Sequence, residues 1–367
     1  MNNIVSIRKI STSIKAAIEQ SLIDVGGIDH IIGTNDRVLL KPNVNGNECV
    51  TNIRLVEALI EILYDNSIKN IAIAESTFGS DKTTHNYFRQ NGYFELSKKW
   101  DVEIINLNAS EVVEIPVGAP LVKKNLRIAK EVFEADKLIN LPVMKVHYAT
   151  GITLCLKNLK GLLVGEEKRT FHEIGLNKAI VDLNRTIKPD LNIVDCTRCM
   201  ERMGPRGGDI IDMDLILAGV QGAYVDYVGM QIMGYTLPEV GHLEQYRESE
   251  DVDFEKVKTI GNTIESVKYD FKKVNLQGMI GKKLNIRNND ACSSCMNALI
   301  LSIMSAQELD FSDKIFYLGS KFTGIEDTYK KVAFGKCCID SLEGVDYTIP
   351  GCPPYPFELK KRLGNGK

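Results

Sequence analysis

The chain has no apolar run approaching the roughly 20 residues that a membrane-spanning helix needs, which argues against a membrane partner. Its opening stretch, Met1-Asn2-Asn3-Ile4-Val5-Ser6, carries no hydrophobic signal core and no small-residue cleavage site, so the expected location is the cytoplasm. Neither sign of charge dominates: 45 Lys and Arg stand against 48 Asp and Glu, for a net charge of −3. That balance argues against a nucleic-acid groove and against a polybasic membrane surface. No Gly-x-Gly-x-x-Gly follows a strand pattern, and no phosphate loop ends in Gly-Lys-Ser/Thr. Nicotinamide and nucleoside triphosphate chemistry therefore have no support. Internal repeats and low-complexity tracts are also missing.

What is present is an ordinary globular composition, 44% hydrophobic and 25% charged over 367 residues. A chain of this length buries a good core without staples, as one large α/β unit or as two domains. Short apolar runs at 37–40, 71–74, 102–105, 137–141, 191–194 and 214–217 alternate with amphipathic stretches at 53–64, 154–163 and 176–185. This alternation predicts an α/β fold, a mostly parallel sheet with helices on both faces. Three further strands are expected at 314–318, 331–334 and 347–349, with helices at 296–304 and 357–363. The expected division is a substrate-binding α/β core over 1–235, a polar connecting or lid region over 236–285, and a smaller C-terminal α/β portion over 286–367 that binds the metal.

Nine cysteines are informative in a compartment that keeps thiols reduced, where clustered cysteines serve metals or redox chemistry more often than disulfides. Cys292 and Cys295 form a two-residue-spaced pair opening an expected helix. Cys337 and Cys352 follow singly, each after an expected strand. In a parallel sheet those strand ends share one edge, and four thiolates gathered there suit a [4Fe–4S] cluster. The helix N-terminus favours thiolates, Gly351 permits close backbone approach, and Pro353-Pro354 stiffens the turn. The same four residues would also suit structural zinc. Cys338 rivals Cys337 as third ligand, with Cys337 preferred. Cys196 and Cys199 form a second close pair, read as a loop after a strand ending at Asp195, and as candidates for a second centre or as small reduced residues. Cys49 and Cys155 read as buried small side chains.

Polar residues recur where the first strands end. Lys41, Glu75, Lys145, His147 and Asp195 are all expected on that edge, which is where open parallel sheets bind ligands. Gly151 and Thr153 suggest a turn and cap at a helix start, an anion site that Lys145, Lys157 and Lys160 would reinforce, with Asn158 beside them. A solvated basic helix face is the alternative. His147 is the acid–base candidate, with His172 second, and Arg206 in the glycine-rich loop 204–208 is placed to contact an anion.

Several of these segments resemble the family called domain of unknown function 362. They are Lys41-Pro42-Asn43, Leu141-Pro142-Val143-Met144-Lys145-Val146-His147, Leu156-Lys157-Asn158-Leu159-Lys160-Gly161, and Val194-Asp195 with Met200 and Gly204-Pro205. The resemblance covers about residues 35–235 and implies an α/β architecture with a cluster, since members often carry iron–sulfur ligands in an appended ferredoxin-like module. This chain departs from that pattern by its sparser cysteines and by Cys196 and Cys199 where small residues are expected.

The function expected is a [4Fe–4S]-dependent oxidoreductase acting on a small anionic substrate and supplied by a ferredoxin- or flavodoxin-like electron donor. His147, Lys145 and Lys41 are its expected catalytic residues. Lys157, Asn158, Lys160, Glu75, Asp195 and Arg206 are its expected substrate contacts. A non-catalytic electron carrier, a cluster-dependent dehydratase or isomerase, and an enzyme with a structural zinc are the rival classes.

Overall fold

Aliphatic runs that are apolar on consecutive residues form the centre of a sheet, because both of their faces must be covered. The computed structural model describes residues 3–275, 284–289, 291–320, 322 and 328–364. The chain divides into two compact units, Met1–Phe171 with Leu176–Val274, and His172–Gly175 with Asn275–Lys367.

The strands of the first unit are β1 (Ile4–Lys9), β2 (Val38–Pro42), β3 (Ile71–Glu75), β4 (Glu103–Asn106), β5 (Val112–Pro116), β6 (Asn125–Ala129), β7 (Lys137–Leu141), β8 (Val143–His147), β9 (Gly151–Thr153), β10 (Leu191–Glu201), β11 (Asp209–Gly219) and β12 (Lys258–Gly261). Ten of them form one sheet in the order β12-β1-β11-β10-β7-β2-β3-β4, with β8 beside β10 and β9 beside β8. Pairing is parallel through β10-β7-β2-β3-β4, for β10-β8 and for β1-β12. It is antiparallel for β1-β11, β10-β11 and β8-β9. β5 and β6 make a separate antiparallel ribbon.

Side chains alternate between two cores. Leu39, Ala72, Ala74, Leu138, Val194 and Leu217 face one, with the helices Leu176–Thr186 and Gly222–Ile232. Val38, Leu40, Ile71, Ile73, Ile139 and Ile193 face the other, with the helices Ile14–Asp24 and Ile53–Asp65. The latter helix starts where Asn52 accepts a 3.0 Å hydrogen bond from the Arg54 amide, an N-cap.

Several boundaries differ from the sequence expectation. β10 does not stop at Asp195 but runs to Glu201, so Cys196 and Cys199 lie within a strand paired to β11 and not in a loop. A bulge between Cys196 and Arg198 carries that ladder past its irregular step. Lys145 and His147 belong to β8 itself, which begins after Pro142, a residue with no amide hydrogen for the ladder. The helix expected over 154–163 is a short turn, Cys155–Asn158, running into a 3₁₀ segment, Leu159–Leu162. Most of the polar stretch after 235 folds with the first unit. The helix Gly241–Glu250 buries His242, Leu243 and Tyr246, and β12 pairs with β1. Its sequence reads as polar because only one narrow face is buried.

The second unit holds β13 (Asn285–Asn289), β14 (Lys314–Gly319), β15 (Lys330–Phe334) and β16 (Tyr347–Ile349), all parallel and in that spatial order. The helix Ser293–Met304 packs Leu299 and Ile303 with Phe316, Phe334 and Leu359. β13 escaped the sequence reading because Asn-Ile-Arg-Asn-Asn offers almost no apolar signal.

Candidate functional site

Parallel pairing places Leu40 opposite Ile73, so the residues that follow carry Lys41 and Glu75 to the same edge. Lys41 Nζ lies 2.6 Å from Glu75 Oε2, with side-chain exposures of 0% and 4%. Burial pushes Lys41 down and Glu75 up, and their mutual attraction opposes both shifts. Gly161 makes the pair possible. A Cβ on it would stand 1.8 Å from Glu75 Oε1 and 2.6 Å from Lys41 Nζ.

Lys145, on β8, is 2% exposed and has a different environment. Its Nζ donates to the Cys49 carbonyl at 2.7 Å and to Asn43 Oδ1 at 3.3 Å. Burial drives this amine down, Arg206 adds to the shift, and Cys49, Glu75 and Glu48 oppose it. Asn43 in turn donates to Asn158 Oδ1 at 3.0 Å, Asn158 to Asn140 Oδ1 at 2.9 Å, and Asn140 to Asn192 Oδ1 at 2.9 Å. Cys49 also lines a cleft of about 80 Å³ with Asn45, Gly46, Asn47, Glu48, Tyr87, Pro205 and Arg206. There Arg206 is exposed, donates to Tyr87 Oη at 3.0 Å and to Asn45 Oδ1 at 3.3 Å, and stacks over the Tyr87 ring.

The remaining lysines are not a solvated basic face. Lys157 and Lys160 are partly buried. Burial and mutual repulsion lower Lys157 well below its ordinary value, while burial beside Lys168 brings Lys160 to about 7. Lys168 was missed by sequence reasoning, because Glu-Glu-Lys-Arg reads as solvent-facing helix. It is buried, its Nζ donates to Ser76 Oγ at 2.5 Å and to the Thr77 carbonyl at 3.1 Å, and burial brings it to about 7.

The anion site expected at the start of the helix Cys155–Asn158 is filled from within. Asp226 accepts from the Cys155 and Leu156 amides at 2.7 and 3.0 Å, taking the groups that a ligand would need. Asp195 is likewise an internal tie. It accepts from the Asn52 amide at 2.6 Å and from the Thr197 amide and hydroxyl at 2.9 and 2.7 Å, while burial raises its carboxyl. His147 Nδ1 accepts from the Ala149 amide at 3.1 Å, and its ring stacks on Tyr148 with centroids 4.6 Å apart. With Nδ1 accepting, the neutral ring carries its proton on Nε2. His172 lies in the helix Glu167–Ile174.

In the second unit Cys292, Cys337 and Cys352 follow the C-terminal ends of β13, β15 and β16. The helix Ser293–Met304 presents Cys295, whose thiol shares a hydrogen bond with Cys292. That bond, then burial, then the nearby thiols of Cys292, Cys352 and Cys337 push Cys295 far up. The Gly335 amide bonds to the Ile349 carbonyl at 2.9 Å and the Lys336 amide to the Gly351 carbonyl at 2.9 Å, which brings the last two turns together. A Cβ on Gly335 would stand 3.0 Å from Cys295 Sγ. Cys338 points elsewhere, into an apolar cluster with Ile315, Tyr317, Ala333 and Leu342, and burial pushes it up to about 11. Among the described residues no three Cys, His, Asp or Glu side chains are arranged as a metal-coordinating set. Cys196 and Cys199 are wholly buried, and burial raises both thiols.

Among the described residues no helix is long and apolar enough to cross a membrane. Thylakoid-associated protein sll1697 of Synechocystis sp. is 29% identical over 232 residues, covering 60% of this chain and 70% of that protein. Among solved structures, the lactate racemase apoprotein of Thermoanaerobacterium thermosaccharolyticum is similar with 14% identity and a TM-score of 0.44, covering 86% of this chain and 69% of that one. A protein from Thermotoga maritima is similar with 13% identity and a TM-score of 0.40, covering 83% and 69%. The family described as Domain of unknown function (DUF362) matches residues 38–231, the span that holds Lys41, Glu75, Lys145, His147, Asn158 and Gly161, and the chain belongs to that family.

Proposed function

We propose that this protein is an iron–sulfur oxidoreductase acting on a small anionic substrate, with a [4Fe–4S] cluster on Cys292, Cys295, Cys337 and Cys352. The observation that carries the reading is the gathering of thiols around Cys295 at one edge of a parallel sheet. Thiols brought this close are costly as thiolates, and a bound cation reverses that penalty. The residues fit the group. Cys292 stands at the start of a twelve-residue helix whose dipole favours sulfur anions, and Gly335 leaves the space that Cys295 Sγ occupies. Such a cluster supplies one-electron transfer, which a ferredoxin- or flavodoxin-like donor in the cytoplasm would feed.

The anion belongs at the edge that carries Lys157 and Lys160 beside Lys145, near Asn158 and Arg206. Burial lowers Lys157 and Lys160, and an arriving carboxylate or phosphate would favour their charged forms. Lys41 and Glu75 hold the floor of that edge as a neutralised pair. In this reading His147 is the proton donor.

The test is iron, zinc and acid-labile sulfide content on protein purified without oxygen, with electron paramagnetic resonance of the dithionite-reduced form. About four irons and four sulfides per chain are expected, lost in Cys295→Ser. Zinc alone, without sulfide after anaerobic reconstitution, refutes the redox reading.

A further inference from the structure

Two buried lysines on the same edge are held in opposite ways. Lys41 has a carboxylate at 2.6 Å. Among the described residues Lys145 has none in ion-pair range, and its partners there are two neutral oxygens, the Cys49 carbonyl and Asn43 Oδ1. A neutral amine has two N–H bonds and one lone pair, whereas an ammonium has three N–H bonds and a full charge. Two acceptors and no counter-ion match the neutral amine. A buried ammonium in the same place would carry an unpaired charge.

Whether Asn43 can serve only as an acceptor depends on which way its amide faces, and the chain of amides behind it fixes that. Asn192 Nδ2 donates to the Val220 carbonyl at 3.0 Å and to the Gly219 carbonyl at 3.4 Å, and carbonyls only accept. Asn192 must therefore present Oδ1 to Asn140, whose Nδ2 donates to it and to the Cys155 carbonyl at 3.1 Å. Asn140 Oδ1 accepts from Asn158 Nδ2, which also donates to the Lys41 carbonyl at 3.4 Å. Asn158 Oδ1 is then left to accept from Asn43, and Asn43 Oδ1 is left to face Lys145. Main-chain carbonyls at three steps set the same polarity, and aligned bonds of this kind strengthen one another. Asn43 therefore presents an acceptor, not a donor, to Lys145.

We propose that Lys145 is a nucleophilic amine that forms an imine with the carbonyl group of a small 2-oxo acid, and that Asn43, Asn158, Asn140 and Asn192 are its positioning residues. The lone pair of Nζ adds to the carbonyl carbon, and the carbonyl π electrons move to oxygen. That oxygen leaves as water with the two amine hydrogens, so no oxidant or reductant is consumed. A 2-oxo acid is the fitting class because Arg206 lines the cleft that Cys49 also lines, so a carboxylate there lies beside the backbone that holds Nζ. The proposal rests on the anionic-substrate half of the functional reading and not on the cluster.

The test is borohydride trapping. Full-length protein is incubated at pH 7 separately with glyoxylate, pyruvate and 2-oxoglutarate, reduced, digested and mapped by mass spectrometry, with iron content measured on the same sample. An exposed lysine is neutral in only about one molecule in 2,500 at pH 7. Lys145 should therefore carry the reduced adduct about tenfold or more above exposed Lys98, for at least one acid, with or without iron. Lys145→Arg should abolish the adduct. Asn192→Leu, remote from the amine, should lower trapping at Lys145 and leave Lys98 unchanged in protein of unaltered circular dichroism. The imine is overturned by no adduct on Lys145 with any of the three, or by one no greater than on Lys98. Unchanged trapping in Asn192→Leu overturns the positioning role. Iron loss with trapping intact refutes the cluster reading alone.

Discussion

Gly161→Ala adds one methyl group and should be among the most damaging small changes in the first unit. The new Cβ would lie 1.8 Å from Glu75 Oε1, 2.5 Å from Glu75 Cδ and 2.6 Å from Lys41 Nζ. Glu75 has little freedom to yield, since Oε1 also accepts from the Ser76 amide at 2.9 Å. Lys41 has none, being wholly enclosed. Either the ion pair separates inside the core or the 3₁₀ segment moves away with the Ser76–Gly161 bonds. Separating a buried pair costs about 3–5 kcal/mol. The gain from a stiffer unfolded chain is only about 0.4–1 kcal/mol. In a unit of this size each kcal/mol is worth about 2–4 °C, so the net loss should lower melting by roughly 4–18 °C. Gly118→Ala is the control, because a Cβ there meets nothing within 4 Å. Thermal unfolding followed by circular dichroism on both variants decides the matter. If Gly161→Ala melts within about 2 °C of Gly118→Ala, the pair is not held as described.

Three further outcomes follow from buried charge. Asp226 is raised to about 7 by burial, so the folded state binds more protons than the unfolded state between roughly pH 4 and 7. Stability should therefore fall as pH rises through that window, by at most about 1.4 kcal/mol per pH unit, and urea titrations of Asp226→Asn should lack that slope. Lys160 sits near 7 when unliganded, and a bound anion raises it again. Phosphate or carboxylate binding should take up protons and weaken as pH climbs above 7, read by calorimetry in buffers of different ionisation heat. A pH-independent affinity there would exclude Lys160 from the anion site. Asp182 accepts from the amides of Leu121, Val122 and Lys123 at 2.7, 2.9 and 2.8 Å, so Asp182→Asn, which turns an N–H₂ toward those donors, should cost about 2–3 kcal/mol in urea unfolding.

The parallel sheet was legible because its strands are buried on both faces and stand out as unbroken aliphatic runs such as Val38-Leu39-Leu40 and Ile71-Ala72-Ile73-Ala74. Lys41, Glu75 and Lys145 were legible because a charge directly after or within such a run has few places to go. What stayed hidden depended on partners distant in the chain. Asn140 and Asn192 look like ordinary strand residues until their amides are seen to meet. Asp226 lies 71 residues from the Cys155 amide that it caps, and nothing local announces it. Lys168 hid in a run of charged residues whose helix turns one side inward. The sequence suggests a loop for Cys196 and Cys199 because Asp195 resembles a strand end, whereas β11 extends the ladder beyond it.

The sheet's two faces also bear on how the molecule tells its sides apart. Along β3 the residues alternate Ile71, Ala72, Ile73, Ala74, with isoleucine toward one core and alanine toward the other. Exchanging Ile73 with Ala74 would keep composition, length and average hydropathy unchanged. It would nonetheless open a hole on one side and force bulk into the other. The order of two neighbouring aliphatic residues thus acts as an orientation label, written in volume and invisible to any measure that only counts them.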